Sequence, residues 1–205
     1  RAIRNNARVH ILAAFDQFIT AVPFMVTGID FDNGSEFINH DLICWATDRQ
    51  VFFTRSRPYK KNDQATIESK NNHLVRRYGF YYRYDTPREL DLLNQLWPLV
   101  NDRLNYLTPT KKPTGYSTDR VGRRKRVYDT PATPYQRLLA AGVLNPAQEA
   151  ELAARKAALK PAAIAAEINA IQQELTRAAG LKTRHLEEQA RPQLPNTAGI
   201  RVRAS

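Results

Sequence analysis

Two acidic residues, Asp32 and Glu68, bound the stretch of this sequence richest in chemistry. Asp32 lies in G-I-D-F-D-N-G-S-E-F (28–37) and Glu68 in A-T-I-E-S-K-N-N-H (65–73), with R-S-R-P-Y-K-K-N-D-Q (55–64) between them. Carboxylates set among cations are expected where a protein holds a metal ion and a polyanion together. Phosphodiester chemistry needs an activated oxygen nucleophile and a stabilised leaving oxygen, and two Mg²⁺ ions about 3.5–4 Å apart can serve both. Such ions take carboxylate oxygens and keep several waters. An Asp at a strand end and a Glu on a helix would supply two ligands, with a third carboxylate bridging. Singly, each residue has a plainer reading: Asp32 as a turn or capping residue beside Asn33 and Gly34, Glu68 as compensation for a helix dipole. Jointly, with the basic loop, they favour the metal reading. Asp30 shares a strand face with Asp32 and is a reserve ligand.

The elements that would position these residues follow from periodicity. Ala7, Ile11, Phe15 and Phe18 predict an amphipathic helix over 3–20, with Arg4 and Arg8 as misfits on its apolar side. The apolar run Phe24–Ile29 predicts a buried strand ending in Asp30 and Asp32, where open α/β sheets hold ligands. Ser35 or Asn33 would cap a helix carrying Phe37, Ile38, Leu42 and Trp45, and Val51–Phe53 would form a second strand before Pro58. A helix is expected from Ala65 to about Tyr78, with Glu68 in its first turn and Asn71, Asn72 and Val75 on the same face. In the basic loop, Arg55, Arg57, Lys60 and Lys61 suit phosphates and Tyr59 suits base stacking, while Lys70 and Asn71 would orient a polyanion beside the metals.

D-N-G-S-E-F followed by F-T-R-S-R-P-Y-K-K-N-D-Q-A-T-I-E-S-K-N resembles the second and third carboxylate motifs of the integrase catalytic core in DDE recombinases. The resemblance is to the bacterial insertion-sequence transposase type, and it covers roughly residues 3–110. Thirty-five residues, 33 to 67, separate Asp32 from Glu68, the spacing this family uses. It implies an RNase H-like α/β fold, a mixed sheet with flanking helices. It further implies Mg²⁺ (or Mn²⁺) held by Asp32 and Glu68 as catalytic residues, DNA (element ends and target) as partner, and joining of a 3′ hydroxyl to target DNA. The full-length protein would be a homo-multimer, bacterial, cytoplasmic and nucleoid-associated. The family's first Asp has no counterpart before Asp32, because Asp16 is too near and on the polar side of a helix. The chain, which opens at Arg1, is therefore expected to be incomplete at its N-terminal side and inactive alone. The alternatives are a noncatalytic DNA-binding remnant of an inactivated mobile element and an RNase H-like nuclease without joining activity.

The remaining sequence divides by composition. Residues 1–109 form the core region, in which Leu90, Leu93, Trp97, Val100, Leu104 and Leu107 predict a helix that Pro98 should bend or interrupt. Residues 110–134 form a basic, extended or small β-like arm whose Arg123, Arg124, Lys125 and Arg126 are assigned to DNA. Residues 135–179 are a helical C-terminal segment, starting helices at Asn145–Pro146 and Pro161 and offering a helical pair or partner-binding surface. Residues 180–205, polar, basic and Pro-containing, are expected to be a disordered tail. The net charge of +11 favours a nucleic-acid partner over a membrane. The single cysteine, Cys44, excludes an intrachain disulfide, suits a reducing cytosol and is expected to be a buried structural thiol. His40 and His73 lack the spacing of a zinc pair. No phosphate-binding glycine loop occurs, so no nucleotide cofactor is implied.

Overall fold

The computed structural model describes residues 1–5, 7–31, 40–57 and 68–190, a mixed α/β structure. Helix α1 (Arg8–Ala21) leads to strand β1 (Gly28–Phe31), helix α2 (His40–Asp48) and strand β2 (Phe52–Arg55). The strands pair in parallel, Gly28 opposite Phe52 and Asp30 opposite Thr54. Parallel neighbours need a crossover, which α2 supplies, so β1, α2 and β2 form a βαβ unit. Its core gathers Phe31, Leu42, Trp45 and Ala46, with Leu12, Phe15 and Ile19 of α1 packed against them.

Several boundaries differ from expectation, each for a physical reason. Helix α1 starts at Arg8, not residue 3, so the turn carrying the misfit Arg4 is not helical. Phe18, placed on the inward stripe, is exposed, and Leu12, Phe15 and Ile19 take that role. Strand β1 starts at Gly28, and Phe24 and Met25 are exposed rather than buried. Alternation decided this: Ile29 and Phe31 turn to the core while Asp30 turns away. Cys44 is exposed, because α2 turns Leu42, Trp45 and Ala46 inward and its next face outward. The Cys44 sulfur lies 3.3 Å from His40 Nδ1.

Residues 68–70 are helical and continue as a π-helical segment, Asn71–Arg76, into α3 (Arg77–Gly79). The wider π turn breaks the 3.6-residue spacing on which the shared face of Glu68, Asn71, Asn72 and Val75 was based. Leu74 packs on the core instead, and Val75 is exposed. Helix α4 (Pro87–Asp102) begins with a capping box between Thr86 and Glu89. It runs through Pro98 without interruption, Pro98 lying on its exposed side, and passes into a π-helical turn at Arg103–Leu107. Its fully buried apolar residues are Leu92, Leu96 and Val100, while Leu93 and Trp97 flank them.

An antiparallel ribbon follows, β3 (Pro113–Thr118) with β4 (Arg124–Tyr128), then α5 (Pro134–Ala140), α6 (Pro146–Ala158) and α7 (Pro161–Ala190). Thr133 and Asn145 each form a capping box with the glutamine three residues on. Helix α7 overturns two expectations. It continues through Gly180 to Ala190, so 181–190 are helical rather than disordered; 191–205 lie outside the described residues. Its apolar face is not left for a partner, because Ile164, Ile168 and Leu175 share one core with Tyr78, Leu92, Leu96 and Val100. Lys182, past the glycine, bonds Asp85 at 2.7 Å and the buried Glu89 at 3.1 Å. Burial pushes the Glu89 carboxyl up, but hydrogen bonds from Thr86, Lys182 and the Asp85 backbone hold it below its ordinary value.

Candidate functional site

The C-terminal ends of β1 and β2 lie side by side, Phe31 opposite Arg55. Phe31, the residue before Asp32 in sequence, thus ends the strand beside the exposed Arg55. Ser56, buried, donates its backbone N–H to the Phe31 carbonyl at 3.0 Å and fixes this edge one residue before Asp32. Asp30 accepts from the Thr54 hydroxyl at 2.8 Å, so one oxygen of the reserve carboxylate already has a protein donor. Asp16 accepts from Trp45 Nε1 at 2.8 Å and from Arg49 at 2.7 Å. Those bonds tie α1 to α2 and account for Asp16 without chemistry.

Asp32, Tyr59, Lys60 and Lys61 lie outside the described residues. Glu68, Lys70 and Asn71 are exposed on the helical segment, and Arg55 and Arg57 are exposed at the end of β2. Among the described residues no group of three or more His, Cys, Asp or Glu side chains is placed to hold a metal ion.

The ribbon is the best-defined cationic feature. Register puts Tyr116 opposite Arg126 and Thr118 opposite Arg124, so Tyr116, Arg124, Arg126 and Tyr128 share one face. Lys125 and Ser117 occupy the other. The Arg124 guanidinium sits 3.8 Å over the Tyr116 ring, and the neighbouring Tyr116 and Tyr128 push the Arg126 guanidinium above its ordinary value. All of β4 is exposed, with Tyr116 and Tyr128 at 54% and 48%. An uncovered two-stranded ribbon is marginal by itself, and here both ends are tied. At the tip, Asp119 accepts the N–H groups of Val121 and Arg123 at 2.9 and 2.8 Å, and Gly122 takes the turn at φ 81°. At the base, Asp129 accepts the Lys112 N–H at 2.7 Å and pairs with Arg137, which also reaches the Thr110 carbonyl at 2.7 Å. The Arg137 hydrogen bond holds the Asp129 carboxyl below the usual carboxylate range. Asp129 is thus neutralised by Arg137, and Asp119 alone faces the larger positive charge of Arg120, Arg123, Arg124, Lys125 and Arg126.

A second basic and aromatic segment, Arg76–Tyr84, straddles the end of the helix expected to stop near Tyr78, and its rings from Phe80 on gained no role from periodicity. Its signal was the density of rings between arginines in R-R-Y-G-F-Y-Y-R-Y. Phe80, Tyr81 and Tyr82 are exposed, and the Arg76 guanidinium lies 4.6 Å over Tyr81.

Comparison with known proteins adds one relative. The uncharacterized protein y4rM of Sinorhizobium fredii (strain NBRC 101917 / NGR234) is 37% identical to this chain over 137 residues. The match takes in 66% of this chain but 38% of y4rM, so the chain spans well under two thirds of that relative's length. No family model matches the chain. Among the described residues no helix is long and apolar enough to cross a membrane.

Proposed function

We propose that this chain carries two carboxylates, Asp32 and Glu68, of an RNase H-like DNA transposase or integrase. The observation that carries the reading is the spacing of these two acids around R-S-R-P-Y-K-K-N-D, with Asp32 directly following β1 of a parallel βαβ unit. Support comes also from the ribbon, whose acids are occupied while its Tyr/Arg face is open. Duplex DNA is the partner, since a two-stranded ribbon fits the major groove and arginines meet phosphates or guanine edges.

Asp and Glu oxygens suit Mg²⁺ or Mn²⁺, and Asp32 and Glu68 would hold the ion. Bound there, the metal would supply Lewis-acid stabilisation of a phosphodiester under attack. The protein's own contribution is positioning: Ser56 and Thr54 fix the edge beside Asp32, and the cations of 55–57 and 123–126 hold the strand. Two carboxylates are fewer than the family's three, and Asp16 is engaged elsewhere. The 205 residues alone should therefore bind duplex DNA without cutting it.

Gel-shift and Mg²⁺-dependent nicking and joining assays test this together. Binding without turnover by the 205 residues, and activity in a longer natural form that Glu68→Gln abolishes, is the expected result. Strand transfer by the 205 residues alone would sink the claim that a further carboxylate is needed; absence of DNA binding would sink the whole reading.

A further inference from the structure

Residues 76–84 place five aromatic rings and three arginines in nine positions. Tyr78 alone among the rings is buried in the core; Phe80, Tyr81 and Tyr82 are exposed and Tyr84 is half-buried. The outward rings are ordered against each other. Phe80 meets Tyr82 edge-on at 6.5 Å between centroids, and Tyr82 meets Tyr84 at 6.4 Å. Phe80 has φ 59° and ψ −158°, a conformation that is essentially glycine's own. A phenylalanine held there is strained, and the strain keeps its ring beside a groove of about 440 Å³ instead of in the adjoining core. The opposite wall is a polar row on α7: Asn169, Gln172, Gln173, Thr176 and Arg177. Gln172 is spent on the Tyr78 carbonyl at 2.9 Å, while Asn169, Gln173 and Arg177 are exposed.

Rings for stacking, amides for base edges and guanidinium groups for phosphates are what a protein offers to unpaired nucleic acid. Asp85 pairs with Arg83 and Lys182, and Glu174 with Arg88, which leaves Arg76 and Arg77 as the segment's cations without an acidic partner among the described residues. We propose that Phe80, the Tyr82 ring edge-on to it and the exposed polar row of α7 form a binding site for unpaired bases of a DNA strand, separate from the ribbon and from the carboxylates. The inference rests on the DNA reading above but not on metal chemistry. An aromatic cluster serving only stability would favour a relaxed backbone and buried rings; here the backbone is strained and the rings are out.

Binding is measured by fluorescence anisotropy with three labelled probes: a short oligothymidylate, an abasic strand of equal phosphate count and a duplex. The oligothymidylate should bind the 205-residue chain about tenfold or more tighter than the abasic strand, since stacking needs bases. Tyr82→Ala, at an exposed position, should erase that preference and leave duplex binding within twofold. Phe80→Gly separates the roles further, because glycine accepts the backbone conformation. It should keep or raise the denaturation midpoint while weakening oligothymidylate binding about tenfold. Equal affinity for the thymidylate and abasic strands, or an unchanged preference in both variants, overturns the proposal while duplex binding stands. Failure of the parent chain to bind any probe overturns it together with the DNA reading.

Discussion

Replacing Arg124 and Arg126 together by glutamine removes two cations from one face of the ribbon and leaves the ties at its tip and base intact. Each phosphate neutralised on duplex DNA steepens the fall of log affinity by about 0.9 per log unit of salt. If Arg123, Arg124, Lys125 and Arg126 each meet a phosphate, the ribbon contributes a slope of about −3.6, a loss of roughly a hundredfold between 50 and 200 mM salt. The double variant should retain about half that slope and lose only about tenfold over the same range. Glutamine keeps most of the side chain, so the main cost to the fold is the stacking of Arg124 on Tyr116, on the order of 0.5–1 kcal/mol at an exposed site. Anisotropy titrations at several salt concentrations read the slope directly. A double variant with the parental slope would return these arginines to the role of solvated surface and refute the reasoning.

Lys182→Met should destabilise the chain by about 1–3 kcal/mol in urea titrations, because Oε1 of the buried Glu89 loses the donor it has at 3.1 Å. Glu89 titrates below its ordinary value of 4.5, so its stabilisation is present above that pH and fades as pH falls through the folded value. This acid-induced loss should shrink in Lys182→Met, and an identical loss in both proteins would exclude the link. The Tyr84 hydroxyl is buried without a partner among the described residues and is pushed up to about 12, chiefly by burial and then by Glu89 and Tyr82. The folded state keeps that proton longer than the unfolded one, so stability should decline as pH rises from 10 toward 12. Tyr84→Phe should lessen the decline, to which Tyr106 and Lys182 also contribute, and add about 1 kcal/mol. Leu175→Ala, at a fully buried site, should cost about 2–5 kcal/mol. Hydrogen exchange should then quicken in 71–79 as well as in α7, whereas an effect confined to α7 would argue against a shared core.

What was legible in the sequence was local. The capping residue Asn145, the proline-started helices and the basic β-like arm are written in neighbouring residues, and the structure forms them. Pairing was harder to read. The run Phe24–Ile29 has strand composition, but β1 pairs with β2 from Gly28 onward, and Phe52 donates to the Thr27 carbonyl just before it. Apolar composition therefore marked the neighbourhood of the strand, and alternation at Ile29, Asp30 and Phe31 marked the strand itself. Past Gly180 the composition is polar, basic and Pro-containing and predicts disorder, and glycine itself costs about 1 kcal/mol in a helix. The contacts that overcome that cost, from Lys182 to residues 97 and 93 positions earlier, cannot be seen in a local window. At the candidate site, residue types and spacing single out Asp32, Glu68 and the arginines of the ribbon as candidates. The use of Asp16, Asp119 and Asp129 as structural anchors depends on partners that no spacing reveals.

The segment 68–84 joins these observations. It opens on Glu68, passes through a π-helical stretch of a kind common at functional sites, and ends in the exposed rings. What rigidity it has comes from its middle, where Leu74 and Tyr78 pack into the core built by α4 and α7, and Gln172 bonds the Tyr78 carbonyl. Helix α7, read from sequence as an appendage, is thus the brace for the helix that presents Glu68. A carboxylate that must meet a metal ion needs its backbone held to within about 0.5 Å, and an isolated helical turn cannot provide that. Packing from a distant part of the chain can, so if Glu68 holds a metal ion as proposed, the C-terminal helix would help position it without any contact with the chemistry.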